Sequence, residues 1–302
     1  MSSTILQTKS ARTAPTRLDG RKTDDLRPLT ITYEGLARSD GSARFGFGPA
    51  LTLASLSGPI EVRAALENPT QATLDVHVRP LAGIPGTDAR ALASTLKLLL
   101  TPSLFLNQCP RTLVQVVVQA LCDRPGGAKG WGSVLVASAV NSASLALLSA
   151  GSVPMRGVVC AIAVGRVVLP GAAAGSGVLV LDPSDEELPR LTGGGCFAFL
   201  FSSALPSAIQ AEEDAPPCEL LWTDYKCQNG FGEDELFRAR QIASGGAKAV
   251  WRAMKESVAR MDTTMHSHSS KSGEEHRGNA MDEGGGESAE ESEVDDDKME
   301  IS

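Results

Sequence analysis

Between Thr30 and Pro80 the chain alternates apolar and polar positions with a period of two, most clearly in Ala72–Val78. There Leu74, Val76 and Val78 share one face and Thr73, Asp75 and His77 the other, the pattern of a half-buried strand. Asp40-Gly41 stands between two such runs and predicts a tight hairpin turn, because glycine supplies the positive φ such turns use. Gly58-Pro59 and Asn68-Pro69 predict two further connections. The opening third therefore reads as an antiparallel meander.

The period then changes. A helix is predicted from about Asp88 to Leu100, followed by a strand through Thr112–Val118. Ser133 is the expected N-cap of a long helix that stops at Gly151. That helix is Ala, Ser, Leu and Val on nearly every side, with Asn141 its only large polar group, so it should be buried. Its small side chains predict close packing against a sheet. Three continuous apolar runs follow, Val158–Val164, Val178–Leu181 and Cys196–Phe201, as expected of strands covered on both faces. A last helix is predicted from about Asp234 to Met261. Leu236, Ala239, Ala243, Ala247, Val250, Met254 and Val258 give it one apolar stripe, and Gly245-Gly246 predicts a weak point midway. The order of elements describes a layered α+β domain of mixed sheets packed with helices, without tandem repeats.

Composition separates this body from its ends. Residues 1–16 are rich in Ser, Thr and Ala and lack the apolar core of a secretory signal. From Asp262 onward almost nothing is apolar, and such a segment buries too little surface to offset the entropy of ordering its backbone. The expected organisation is a disordered tail over 1–16, one domain over 17–261 and a disordered acidic tail over 262–302. Met281–Ser302 carries net −9 against −8 for the whole chain, so the low pI describes the tail and everything before Met281 carries about +1. No apolar run suggests a membrane span, and a soluble intracellular protein is expected. The six cysteines, Cys109, Cys122, Cys160, Cys196, Cys218 and Cys227, never form a CxxC pair and read as reduced thiols. His266, His268 and His276 sit in the tail without the donor geometry of a metal site.

Little in the body looks catalytic. His77 is its single histidine, on the polar face of a strand, and no GxSxG accompanies it. Gly126-Gly127, Gly171–Gly177 and Gly193-Gly194-Gly195 match neither a Walker loop nor a dinucleotide fingerprint and are expected to be loops. No cofactor is called for.

A series of short motifs does carry information. Arg17-Leu18-Asp19-Gly20-Arg21 with Arg27-Pro28, Asp40-Gly41-Ser42-Ala43, Gly58-Pro59-Ile60-Glu61-Val62, Arg79-Pro80, Pro110-Arg111, Asn141–Leu147 and Val153-Pro154-Met155-Arg156-Gly157 follow in the order of the ribonuclease PH family, which includes the barrel subunits of the exosome. Over about residues 17–260 the chain resembles that family, which implies a ribonuclease PH-like fold. Active members cleave RNA from its 3′ end by phosphate attack, using a Gly-Ser-Arg or Gly-Thr-Arg loop for phosphate and two aspartates six residues apart for a divalent metal.

Both features look degenerate. Gly132-Ser133-Val134 matches the loop with valine at the arginine position, and Lys129 nearby is a point charge rather than a bidentate fork. Val178–Leu181 ends in Asp182, but six residues earlier stands Ser176, and Asp182-Pro183 reads more simply as a turn. The expectation is a non-catalytic ring subunit with no metal, no phosphate site and no cofactor. The resemblance implies other ribonuclease PH-like subunits in a hexameric ring as partners, with cap subunits and associated nucleases, RNA threaded through, and a location in nucleus, nucleolus and cytoplasm. Arg63, Arg79 and Arg111 are the candidates for RNA contact. An active phosphorolytic exoribonuclease built on Asp182 is the alternative, and a free-standing RNA-binding module is disfavoured by a body near neutrality with only 13 aromatic residues in the chain.

Overall fold

The alternating runs of the first half assemble into a five-stranded sheet ordered β1-β2-β3-β5-β4. It is built from β1 (Leu29–Tyr33), β2 (Gly41–Phe47), β3 (Ala50–Glu61), β4 (Thr73–Arg79) and β5 (Thr112–Ala120). The structure is a computed structural model that describes residues 17–122, 132–168, 177–204, 215–228 and 230–278. β1, β2 and β3 form the expected antiparallel meander and β3 pairs antiparallel with β5. β4 departs from it: it pairs parallel with β5 through α1 (Thr87–Leu100), because a strand, crossover helix and strand return in the same direction.

Two turn assignments need correction. Gly41 opens β2 instead of turning the chain, and the left-handed residue in that connection is Arg38, with φ 68°. Gly41 is glycine because a Cβ there would lie 2.5 Å from both Ala146 O and Ala150 N. Gly58-Pro59 is likewise no connection. It sits inside β3, where the register with β5 shifts between Ser57 and Ile60, and a Cβ on Gly58 would meet Leu113 O at 2.6 Å. Gly41→Ala should therefore destabilise the protein by about 1–3 kcal/mol, measured by urea unfolding, since the obstructing atoms are backbone and cannot swing aside. A loss below the error of the measurement would show that α2 stands further from β2 than these distances say.

The helix α2 (Ser133–Ala150) is capped by Gly132 and ends at Gly151 with φ 62°; Ser133 is its first residue and makes no side-chain cap. Thirteen of its 18 residues are buried, because it lies between the first sheet and a second one. By length and hydropathy alone it would pass for a membrane span, contrary to the sequence reading, but 78% of it is buried within the fold. Its polar groups are satisfied on both sides. Ser138 and Ser142 meet Thr52 of β3, and Ser144 Oγ donates to Val159 O. Asn141 Nδ2 donates to Ala161 O at 2.9 Å, while Ala161 N donates back to Asn141 Oδ1 at 2.7 Å.

The second sheet contains β6 (Val158–Val167), β7 (Val178–Leu181), β8 (Leu191–Phe201), β9 (Cys218–Thr223) and β10 (Lys226–Cys227), all antiparallel. Sequence periodicity missed the last two and began β8 five residues late. α3 (Glu233–Gly278) closes the far face: Met254 touches Cys160, Trp251 stacks on Phe201 and Tyr33 pairs with Ser257. Gly245-Gly246 does not interrupt α3. Gly246 sits where a Cβ would press on Leu181 and Ile162 at 3.0–3.2 Å, so it serves close packing.

Residues 17–259 form one compact unit and the remainder a second, in which the helix continues to Gly278. The expected boundary at Met261 is thus passed by helical backbone. Residues 1–16 and the acidic segment 281–302 lie outside the described residues, as do the side chains of His266, His268 and His276. All six cysteines are free thiols, with Cys160 and Cys196 fully buried, where burial raises the thiol pKa far above its ordinary value.

Candidate functional site

Gly132, Ser133 and Val134 stand at the N-terminus of α2 beside a cavity of about 390 Å³. Ser133 lines it together with Leu191–Gly194 of β8 and Lys226, Cys227 and Gln228 around β10. Val134 does not reach it: the side chain at the position where the resemblance expects arginine is part of the apolar core, 8% exposed. Lys129 lies outside the described residues.

The wall opposite Ser133 explains the glycine run. Gly193-Gly194-Gly195 is strand, in β8, and was wrongly expected to be a loop. A Cβ on Gly195 would sit 2.3 Å from Asp224 O, and one on Gly193 would meet Cys227 Sγ at 2.9 Å, so side chains are excluded where the segment Asp224–Cys227 crosses. That strand offers the cavity Leu191, Thr192 and two glycines, hence no carboxylate. Among the described residues no cluster of three or more His, Cys, Asp or Glu is placed to hold a metal, and none of those lining this cavity is acidic. Its polar groups are one hydroxyl from Ser133, one from Thr192, the exposed Lys226, the Cys227 thiol and the Gln228 amide. Among the described residues this lining supplies no carboxylate oxygen, the donor that a hard divalent cation prefers.

Asp182 is elsewhere, and it is no ordinary turn residue. It has φ 45°, is fully buried, and accepts three hydrogen bonds from Arg27: from the backbone N at 2.9 Å, Nε at 2.9 Å and Nη2 at 2.6 Å. Arg21 Nη1 adds an ion pair at 3.5 Å. Next to it Arg17 forks onto Glu187, at 2.9 and 2.6 Å, and donates to Leu181 O and Asp182 O. Burial pushes the Glu187 carboxyl up, but the hydrogen bonds from Arg17 and Ser184 N outweigh it and hold its pKa below the ordinary value. The arginines of the opening motif thus have a structural partner: they fasten the segment before β1 to the end of β7. Both carboxylate oxygens of Asp182 are thus engaged by Arg27, Oδ2 by the amide and Nε and Oδ1 by Nη2, so its partners are structural. Ser176, the other half of the expected pair, lies outside the described residues.

The three arginines nominated for RNA do not converge. Arg63 is exposed at the start of the 3-10 turn Ala64–Leu66. Arg111, with φ 61°, is at the same end of the sheet; its amide donates to Asn68 O and its side chain pairs with Glu67 at 3.3 Å. Arg79 ends β4 at the opposite end, about 20 Å along the strand from Thr73. His77, exposed on the same strand, pairs with Asp75 at 3.0 Å and touches no nucleophile.

Two sheets enclosing one apolar helix, a βαβ crossover at the edge and an arginine-rich leader clamped by buried acids define a ribonuclease PH-like protein. Comparison with known proteins gives the same class. Residues 25–152 match the model of the 3′ exoribonuclease family, domain 1. The chain is 31% identical over 202 residues to the exosome complex exonuclease RRP46 homolog of Oryza sativa subsp. japonica, spanning 66% of this chain and 78% of that one. It is 30% identical over 251 residues to exosome complex component Rrp41 of Thermococcus onnurineus, spanning 80% and 88%. The crystal structure of rice Rrp46 superposes with a TM-score of 0.65 at 24% identity, covering 80% of this chain and all of that one. The protein belongs to the ribonuclease PH, or 3′ exoribonuclease, family.

Proposed function

We propose that this chain is a non-catalytic structural subunit of an exosome ring, of the Rrp46 kind, in which RNA is threaded toward nucleases held elsewhere. The observation that carries the reading is the cavity at the N-terminus of α2. The guanidinium expected to grip phosphate is replaced by a valine that packs into the core, and the facing strand lines the cavity with Leu191, Thr192 and two glycines, none of them an acid. Without a bidentate cation the desolvation of an attacking phosphate goes uncompensated, and without carboxylates no cation stabilises the leaving oxygen. The relatives reported above are exosome components, which supports ring membership, with ribonuclease PH-like neighbours, cap subunits and nucleases as partners in nucleus, nucleolus and cytoplasm. Within such a ring Arg63 and Arg111 serve RNA as one cluster, by phosphate contacts that carry no sequence preference.

The purified chain, given a 3′-tailed RNA, magnesium and inorganic phosphate, should release no nucleoside diphosphate above background. Steady release that stops on removing phosphate would establish the alternative, an active phosphorolytic exoribonuclease. Co-purification should recover the other ring subunits in equal stoichiometry; a lone monomer would count against ring membership.

A further inference from the structure

β4 is the last strand of its sheet. One side of it pairs with β5; the other has no partner strand among the described residues. α1 does not cover that edge, because it packs through Leu92, Leu96 and Leu99 on the inner face of the sheet, leaving a groove between its flank and the strand. The groove is about 490 Å³ in volume and follows β4 from Asp75 to Arg79. Its floor on the helix side is Ala89 and Ala93, small enough for another backbone to lie close.

The charge around this groove is one-sided. Arg90 and Lys97 rim it on the α1 side and Arg79 on the strand side, all exposed, and none of the three has an ion-pair partner among the described residues. Asp75, the one acid in the lining, shares a hydrogen bond with His77 at 3.0 Å, so three cations face a single carboxylate. The loop that leads into the groove also exposes two large apolar side chains, Leu81 at 46% and Ile84 at 91%.

We infer that the β4 edge and the flank of α1 form a docking site for an extended acidic segment of a partner protein, which adds a strand beside β4. Edge backbone groups supply the affinity, and side chains of alternate residues reach opposite faces. On one face a carboxylate of the occupant meets Arg90 or Lys97 across the alanine floor, and on the other Arg79. RNA fits less well: a phosphodiester chain has no alternating N–H and C=O groups to match the strand edge, and the lining contains no Phe, Tyr or Trp for a base to stack on. Charged side chains on an edge strand also discourage pairing between like copies, so a second copy of this chain is the less favoured occupant. The inference is independent of whether the chain is catalytic.

The probe is a blocked peptide of alternating Glu and Val, about eight residues long to match the strand, added to the full chain. Hydrogen exchange of amides within Thr73–Arg79 should slow by about fivefold or more on binding. Arg90→Glu combined with Lys97→Glu should weaken binding by about tenfold or more. A peptide of the same charge, N-methylated at alternate residues, should not protect β4. Equal protection by the methylated peptide would overturn strand addition, and absence of any protection at millimolar peptide would overturn the site. Two further results would reassign it: an oligouridine that protects these amides and is lost on the same charge reversal would make the groove a nucleic-acid surface, and a dimer with β4 already protected would make the occupant a second copy.

Discussion

Asp182→Asn should cost the fold about 3–5 kcal/mol, the penalty for leaving a buried charge without its partner. Asparagine keeps the shape of the side chain and tolerates the left-handed backbone at φ 45°, so the loss reports charge and hydrogen bonds rather than strain. What is left behind is Arg27, 9% exposed, whose Nε and Nη2 both point at the lost carboxylate. In a domain of this size the change lowers the melting temperature by about 10 °C. A melting curve within 1–2 °C of wild type would mean that water or Asp19 compensates Arg27, and that the buried pair is not the anchor described here. The double variant Arg27→Met with Asp182→Leu should recover part of the loss, since no uncompensated charge remains. This bears on function. Loss of any RNA-related activity on substituting Asp182 is evidence about folding first, and a chemical role would have to be shown at unchanged stability.

Asn141→Leu is the second large effect, expected at about 2–5 kcal/mol in the same unfolding experiment. Leucine has the same number and branching of side-chain heavy atoms and suits a helix that is already apolar, so hydrophobic burial does not fall, although its bulkier methyl groups add some overpacking. The cost is that Ala161 N and Ala161 O each lose the group they bond, at a fully buried position where no water replaces it. An orphaned buried donor or acceptor costs about 1–3 kcal/mol. Ser144→Ala, which removes one bond to Val159 O in the same interface, should cost less, and the order of the two effects is the check. If Asn141→Leu proved neutral or stabilising, α2 and β6 would not be joined by this amide.

The two variants fail in different places. Asp182 ties the N-terminal leader to the second sheet, whereas Asn141 ties the central helix to that sheet, and the groups share no partner. Their effects should therefore add within about 0.5 kcal/mol. A large deviation would indicate that loosening the leader also loosens α2.

Much of this architecture is written in local pattern. Alternation in Thr73–Val78 predicted β4, and the all-round apolar character of Ser133–Ala150 predicted a helix buried on every side, because the period of hydrophobic residues fixes which faces can be hidden whatever hides them. Absence of arginine after Gly132-Ser133 was equally visible. Other features were misread for one common reason. Gly41, Gly58, Gly193-Gly194-Gly195 and Gly246 all looked like turns, loops or weak points, since glycine in isolation signals a flexible backbone. Each is instead a site of close approach to atoms that lie far along the chain, and nothing in the neighbouring residues records that approach.

Asp182 shows the same division. Its place at the end of an apolar strand was legible, and so were the arginines of the leader. That a carboxylate and a guanidinium 155 residues apart in sequence meet in a dry interior was decided only when the sheets packed. Residue type and spacing settled most of the elements and which of them are buried, because these depend on neighbours within a turn or a strand. The pairing of β4 at a parallel edge, the sealed ionic clamp and the acid-free wall of the cavity depend on which distant backbones come within a few ångströms, and that information exists only in three dimensions.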